Sequence, residues 1–252
     1  MSAESTFHGA ILQGALFQEV LRVFNQQHLP EISQRDLVAA LKAGRPGPLI
    51  FLYAAGTETG LPPQTLLQRV VAIYFVFCAG NLADDLSDGE CTYLPEPFRI
   101  GPSAQFILQT LAFHTLLEAD LPKQTLSAAT QEMIAAVGPQ HIEVRTKQWT
   151  ASVYREVAEG IAGRQWSAYL QILWCDTPFA DRAATIGMNA GIATHVVLDI
   201  QSRDPRYTTM PDADKREIVA WATAAAEELR KENLRCIDAL LRTIDPVLQG
   251  AL

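Results

Sequence analysis

The sequence predicts an all-α fold, on three observations. Apolar residues recur at three- and four-residue spacing along nearly the whole chain, alternating runs bounded by hairpin signals are missing, and prolines punctuate the periodic segments. With 252 residues, 48% of them apolar, the chain can bury a substantial core, and it reads as one domain over 1–252.

Taken in order, helices are expected over about 7–27, 34–43, 48–55, 63–87, 102–118, 123–137, 140–174, 178–203 and 211–244. Proline is tolerated at a helix start and disruptive within, so Pro30 separates the first two helices, Pro46 the next two, and Pro62 opens the fourth. That fourth helix carries Leu66 to Gly80, apolar around most of its circumference, and should be buried on several sides. Gly89 to Gly101 lacks helical periodicity and suits either a binding loop or a plain surface connection. Pro122 and Pro178 open the sixth and eighth helices, and Pro205 follows the eighth. Within the long seventh, Gly160 and Gly163 each cost about 1 kcal/mol of helix propensity against alanine, which close packing of another helix would justify.

A net charge of −8 with no long Lys/Arg run argues against nucleic acid, whose phosphates are bound chiefly by basic clusters, and suits a divalent cation better. Cys78, Cys91, Cys175 and Cys236 lie far apart with no CxxC pair, so neither a zinc site nor a disulfide framework is suggested and a reduced, cytoplasmic setting is expected. The opening Met-Ser-Ala-Glu-Ser-Thr has no basic region followed by an apolar run and does not read as a secretory signal. The longest apolar stretch, Val70 to Ala79, falls short of the roughly 20 residues that cross a bilayer, so no membrane span is expected.

Carboxylates gather at the far end of the fourth helix. Asp84 and Asp88 are four apart and share a face, with Asp85 and Asn81 beside them. Three negative charges near a helix C-terminus oppose the macrodipole and repel one another. A bound cation reverses that cost, and clustered carboxylates are hard oxygen ligands suited to magnesium. A solvated helix end is the plain alternative, weakened here because the cluster terminates a buried helix containing Tyr74, Phe75 and Phe77.

Asp84-Asp85-Leu86-Ser87-Asp88 resembles the DDxxD motif of the trans-isoprenyl diphosphate synthase superfamily. Lys42 to Leu49 looks like a degraded GGKRxRP segment of that family, and Gly191 to Ser202 looks like its second motif, GxxFQxxDDxxD. The resemblance covers about residues 40 to 210 and implies a single-domain helical barrel around a central cavity, with Mg2+ as cofactor, a prenyl diphosphate as substrate, and a homodimer. Departures are informative. Gly44 and Gly47 stand where the family places a Lys and an Arg for isopentenyl diphosphate, leaving Arg45, and the Arg pair that follows the first motif is absent from Gly89 to Pro95. Leu198 replaces the second motif's first aspartate and Ser202 its last, leaving Asp199. Asp199-Ile200-Gln201-Ser202 is also similar to part of the NDxxSxxxE motif of terpene cyclases, with Leu198 and Arg206 in place of its Asn and Glu.

The resemblance therefore implies metal ligands at Asp84, Asp85, Asp88, Asp199 and Ser202, the four aspartates being the catalytic set. On a helix His195, Asp199, Ser202 and Arg206 line one stripe; Asp199 suits metal or diphosphate binding and a buried ion pair equally, and His195 suits a core histidine better than a ligand. Arg206 has the fork for diphosphate, and Gln165, with Arg164 beside it, resembles a Gln that the family places near the active-site mouth. Tyr74, Phe77, Trp149, Trp166, Tyr169 and Trp174 are the aromatic candidates for a pocket wall, Phe77 first among them because it precedes Asp84 by two turns, about 10 Å at 1.5 Å per residue. Asn81 and Arg45 complete the expected substrate contacts. The leading expectation is a terpene synthase that ionises a C10–C20 prenyl diphosphate, farnesyl diphosphate being favoured. The rivals are a prenyltransferase with a peptide or aromatic acceptor, and a non-catalytic partner subunit.

Overall fold

A computed structural model describes residues 3–44 and 47–251, without the side chains of 3–12, 32 and 47. Among the described residues there are α-helices, a π-helical turn and a 3-10 turn, and no strand. The chain forms two compact units, residues 1–57 with 61–121, and residues 58–60 with 122–252.

The first unit contains α1 (Ala3–Asn25), α2 (Glu31–Ala43), α3 (Gly47–Glu58), α4 (Pro63–Asp88) and α5 (Pro97–Glu118). Helix α4 is its centre and packs against α1, α2 and α5. The apolar circumference expected from Leu66 onward is realised: Val70, Val71, Ala72, Ile73, Tyr74 and Phe75 are all buried. Tyr74 ties α4 to the end of α2, its hydroxyl 2.7 Å from the Leu41 carbonyl and 2.8 Å from that of Gly44. One face of α5 stays uncovered, with Phe106, Phe113 and Leu117 exposed along it.

The second unit contains α6 (Lys123–Glu143), α7 (Ala151–Ala158), the π-helical turn Glu159–Gly163, α8 (Arg164–Trp174), the 3-10 turn Ala180–Arg182, α9 (Ala183–Ser202), α10 (Pro205–Thr208), α11 (Asp212–Arg230) and α12 (Arg235–Ala251). Helix α9 is central, packing against α8, α11, α12 and the π-helical turn. Two glycines allow that approach. A Cβ on Gly187 would stand 2.3 Å from the Trp166 carbonyl oxygen, and one on Gly191 2.3 Å from that of Ala162. Gly163 does the same from the other side, against the Met188 sulfur, while Gly160 lets the π-helical turn approach Pro139 of α6. Glu58 caps α12, its carboxylate accepting from the Arg235 and Cys236 amides at 2.7 and 2.9 Å.

Several boundaries differ from the sequence reading. The loop expected to run to Gly101 ends at Glu96, because Pro97 occupies the first turn of α5, where a missing N–H costs nothing; Pro102 then lies inside that helix. Pro139 lies inside α6 rather than between two helices. The helix expected through 140–174 is broken at 144–150, and the Thr150 side chain restarts it by accepting from the Val153 amide. The last expected helix divides after Arg230, with Asn233 in the left-handed region at φ 50°.

Helix α4 and the stretch 180–202 are long and apolar enough to cross a membrane, longer than the Val70 to Ala79 run suggested. In each, more than half of the apolar window is buried within the protein, as in a core helix.

Candidate active site

The aspartate cluster forms the last turn of α4. Gly89 follows it in the left-handed conformation, φ 75°, which lets the chain turn back over the helix end. The Glu90 and Cys91 amides close on the Asp85 carbonyl at 2.8 and 3.1 Å, and Cys91 and Leu94 are buried, so this connection is pinned. It delivers Tyr93, whose hydroxyl donates to Asp85 Oδ2 at 2.7 Å, while Asn81 Nδ2 donates to the same oxygen at 2.9 Å. Burial and the Asp85 carboxylate push the Tyr93 phenol well above its ordinary range. It stays a donor.

The three aspartates therefore divide. Asp85 is held by Asn81 and Tyr93; Asp84 is half-buried and Asp88 exposed, and these two share one helix face. Phe77 is half-buried two turns before Asp84 and stacks on Tyr74 at 6.1 Å between centroids; Tyr74 itself is buried and belongs to the core. Among the described residues no three of His, Cys, Asp or Glu converge as a preformed metal cage. Two accessible carboxylates still suit magnesium, which is commonly held by one or two of them and completes its shell with water and substrate phosphate.

The α9 residues are arranged differently. Asp199 is buried, and its Oδ2 accepts from the Tyr154 hydroxyl at 2.8 Å and lies 3.6 Å from His195 Nε2. Its Oδ1 accepts from Arg206 Nη2 at 3.4 Å. Arg206 is also forked onto Asp204, Nε to Oδ1 and Nη2 to Oδ2 at 2.9 Å each, and pairs with buried Glu143. Of the two readings the sequence left open for Asp199, this geometry is the buried ion pair. Burial pushes its carboxyl upward, with His195 and the Tyr154 hydroxyl pulling the other way. The Ser202 hydroxyl donates to the Asp199 carbonyl at 3.4 Å.

Arg164 pairs with Glu132 of α6 at 2.8 Å, and Gln165 beside it is half-buried. Trp149 lies in the loop before α7, 6.3 Å from the Tyr154 ring, while Tyr169 and Trp174 are buried core; Trp166, half-buried, lies 6.5 Å from the Tyr169 ring. Arg45 lies outside the described residues. Gly44 is buried, and a Cβ there would meet the Cys78 sulfur at 2.6 Å and the Tyr74 hydroxyl at 3.2 Å, so a lysine has no room in its place. The sequence reading passed over Tyr93, Glu143, Tyr154 and Asp204. Glu143 and Arg206 are too far apart along the chain for spacing to reveal them.

A cavity of about 210 Å3 opens at the other end of α4, with Arg22, Gln64, Gln68, His114 and Glu118 in its wall. Twenty residues separate Gln64 from Asp84, about 30 Å along the helix, so this cavity is not the aspartate site.

No family model and no curated protein matches the chain. Solved structures do. A geranyltranstransferase from Thermotoga maritima superposes with TM-score 0.77 at 14% identity, covering 96% of this chain and 99% of its own. A geranylgeranyl pyrophosphate synthetase from Geoglobus acetivorans gives 0.69 at 15%, over 95% and 98%. An FPP/GFPP synthase from Zymomonas mobilis gives 0.64 at 17%, over 94% and 97%. The chain has the helical fold of the isoprenyl diphosphate synthases, as the DDxxD resemblance implied.

Proposed function

We propose that this chain is a magnesium-dependent enzyme that ionises an allylic prenyl diphosphate and transfers the prenyl group to an acceptor other than isopentenyl diphosphate. The observation that carries the reading is the pair Asp84 and Asp88 on one accessible face at the end of α4, within a fold that neighbours named as prenyl diphosphate synthases share. Those neighbours favour transfer over the terpene synthase expected first. Because they run across both units, residues 1–252 are taken as one isoprenoid-synthase-like domain. The acceptor is argued from Gly44: with no room for a lysine, the cradle for a second diphosphate is reduced to Arg45.

Asp84 and Asp88 would hold Mg2+, and Asn81 and Tyr93 keep Asp85 oriented beside them. The metal's chemistry is to neutralise the departing diphosphate. The allylic C–O bond breaks with its electron pair leaving on diphosphate, and a new bond forms to the acceptor, which gives up a proton. Phe77, on the aspartate face two turns down, offers its ring face to the allylic cation, an attraction worth roughly 0.5–2 kcal/mol. A cytoplasmic setting and a homodimer through the exposed apolar face of α5 complete the proposal.

Gly44 equally favours a second reading, ionisation without any acceptor to give a cyclised or water-quenched terpene. The test is incubation with Mg2+ and geranyl, farnesyl or geranylgeranyl diphosphate, with and without isopentenyl diphosphate, and with an aromatic peptide as probe. A prenylated peptide supports transfer, and a hydrocarbon or terpene alcohol without acceptor supports the second reading. A longer diphosphate formed only with isopentenyl diphosphate overturns both.

A further inference from the structure

In the second unit three carboxylates converge on one guanidinium. Glu143 from α6, Asp199 from α9 and Asp204 ahead of α10 all pair with Arg206. Asp204 is taken through both oxygens, and its Oδ1 also accepts from the Arg206 amide at 2.7 Å. Asp199 gives its other oxygen to the Tyr154 hydroxyl. Glu143 and Asp199 are 7% and 4% exposed, which leaves those two carboxylates no open face for a hydrated divalent ion. A magnesium ion needs room for the waters it keeps, and these two buried carboxylates do not offer it. The α9 residues do not fit the metal that their resemblance implies.

We infer that Arg206 is a built-in cation shared by Glu143, Asp199 and Asp204, in place of the metal that the resemblance implies at α9, so that metal binds this protein at α4 alone. A planar fork reaches several carboxylates at fixed angles and stays charged at any working pH, so it performs the neutralising task of a metal without exchange. The inference rests on the proposed function only for what α4 binds.

The test counts Mn2+ bound to the full folded chain by electron paramagnetic resonance, with Mn2+ alone as the probe. Asp199→Asn is expected to bind as many ions as the unsubstituted chain, and Asp84→Asn/Asp88→Asn to bind none. Adding Arg206→Ala to that double variant is expected to create one site that the double variant lacks. Loss of an ion in Asp199→Asn overturns the inference, as does a folded triple variant that binds none. Should the triple variant not fold, the Asp199→Asn count decides alone. An unsubstituted chain that binds no Mn2+ overturns the metal role of α4 and this inference's second clause, while a site gained on adding Arg206→Ala would still uphold the first.

Discussion

Replacing Tyr154 with phenylalanine removes the donor 2.8 Å from Asp199 Oδ2 and leaves a buried carboxylate oxygen short of a partner. The cost should be about 1–3 kcal/mol, read as a lower urea midpoint at unchanged m-value. A shift under about 0.5 kcal/mol would mean that His195 alone satisfies that oxygen. At α4 the proposed function makes the expected consequence catalytic rather than structural. Asp84→Ala should lower turnover at least about 100-fold, on the order of 3 kcal/mol of transition-state stabilisation, while far-ultraviolet circular dichroism stays the same. Unchanged turnover would remove Asp84 from the site. The aspartates were legible in the sequence because all of them lie within one helical turn. What holds Asp85 and Asp199 was not, since Tyr93 sits in an aperiodic connection and Tyr154, Glu143 and Asp204 come from separate elements.

Helix α9 depends on glycine where it meets α8 and the π-helical turn. Gly191→Ala would place a methyl 2.3 Å from the Ala162 backbone, which cannot yield as a side-chain tip can, so a loss of about 1–3 kcal/mol is expected. Gly14→Ala, at an exposed position of α1, meets nothing within 4 Å and should instead stabilise by about 0.5–1 kcal/mol. Thermal melts of the two variants should move in opposite directions; a shared direction would refute the packing assigned to Gly191. Helix existence followed from periodicity nearly throughout, and α4 matched within a residue, because Pro62 and the Gly89 turn bound it locally. Where the reading failed, at 97, 139 and 144–150, proline position inside helices and a lone threonine cap decided the boundary. Periodicity records neither.

Across the whole molecule the buried phenols and thiols, with the half-buried Tyr93, set an alkaline limit. Burial raises Tyr74, Tyr93 and Tyr154 above their ordinary 10.0, and pushes Cys78 and Cys236 from 9.0 up to about 12. The unfolded chain loses these protons first, so the stability they contribute is full below pH 9 and is lost as pH rises through the folded values. Melting temperature should fall between about pH 9 and 12, with phenolate absorbance from these tyrosines appearing together with loss of helix. Phenolate signal from a still-helical protein at these positions would contradict their burial. The π-helical turn Glu159–Gly163 acts on comparison itself. Closing hydrogen bonds from i to i+5 accommodates one residue more than an α-helical turn, so every side chain beyond it is rotated by about 100° relative to an uninterrupted helix. A related helix without that extra residue would align with α7 and then fall one column out of step at α8, which would exchange Arg164 for Gln165 as the counterpart of a given position while the backbone path is kept.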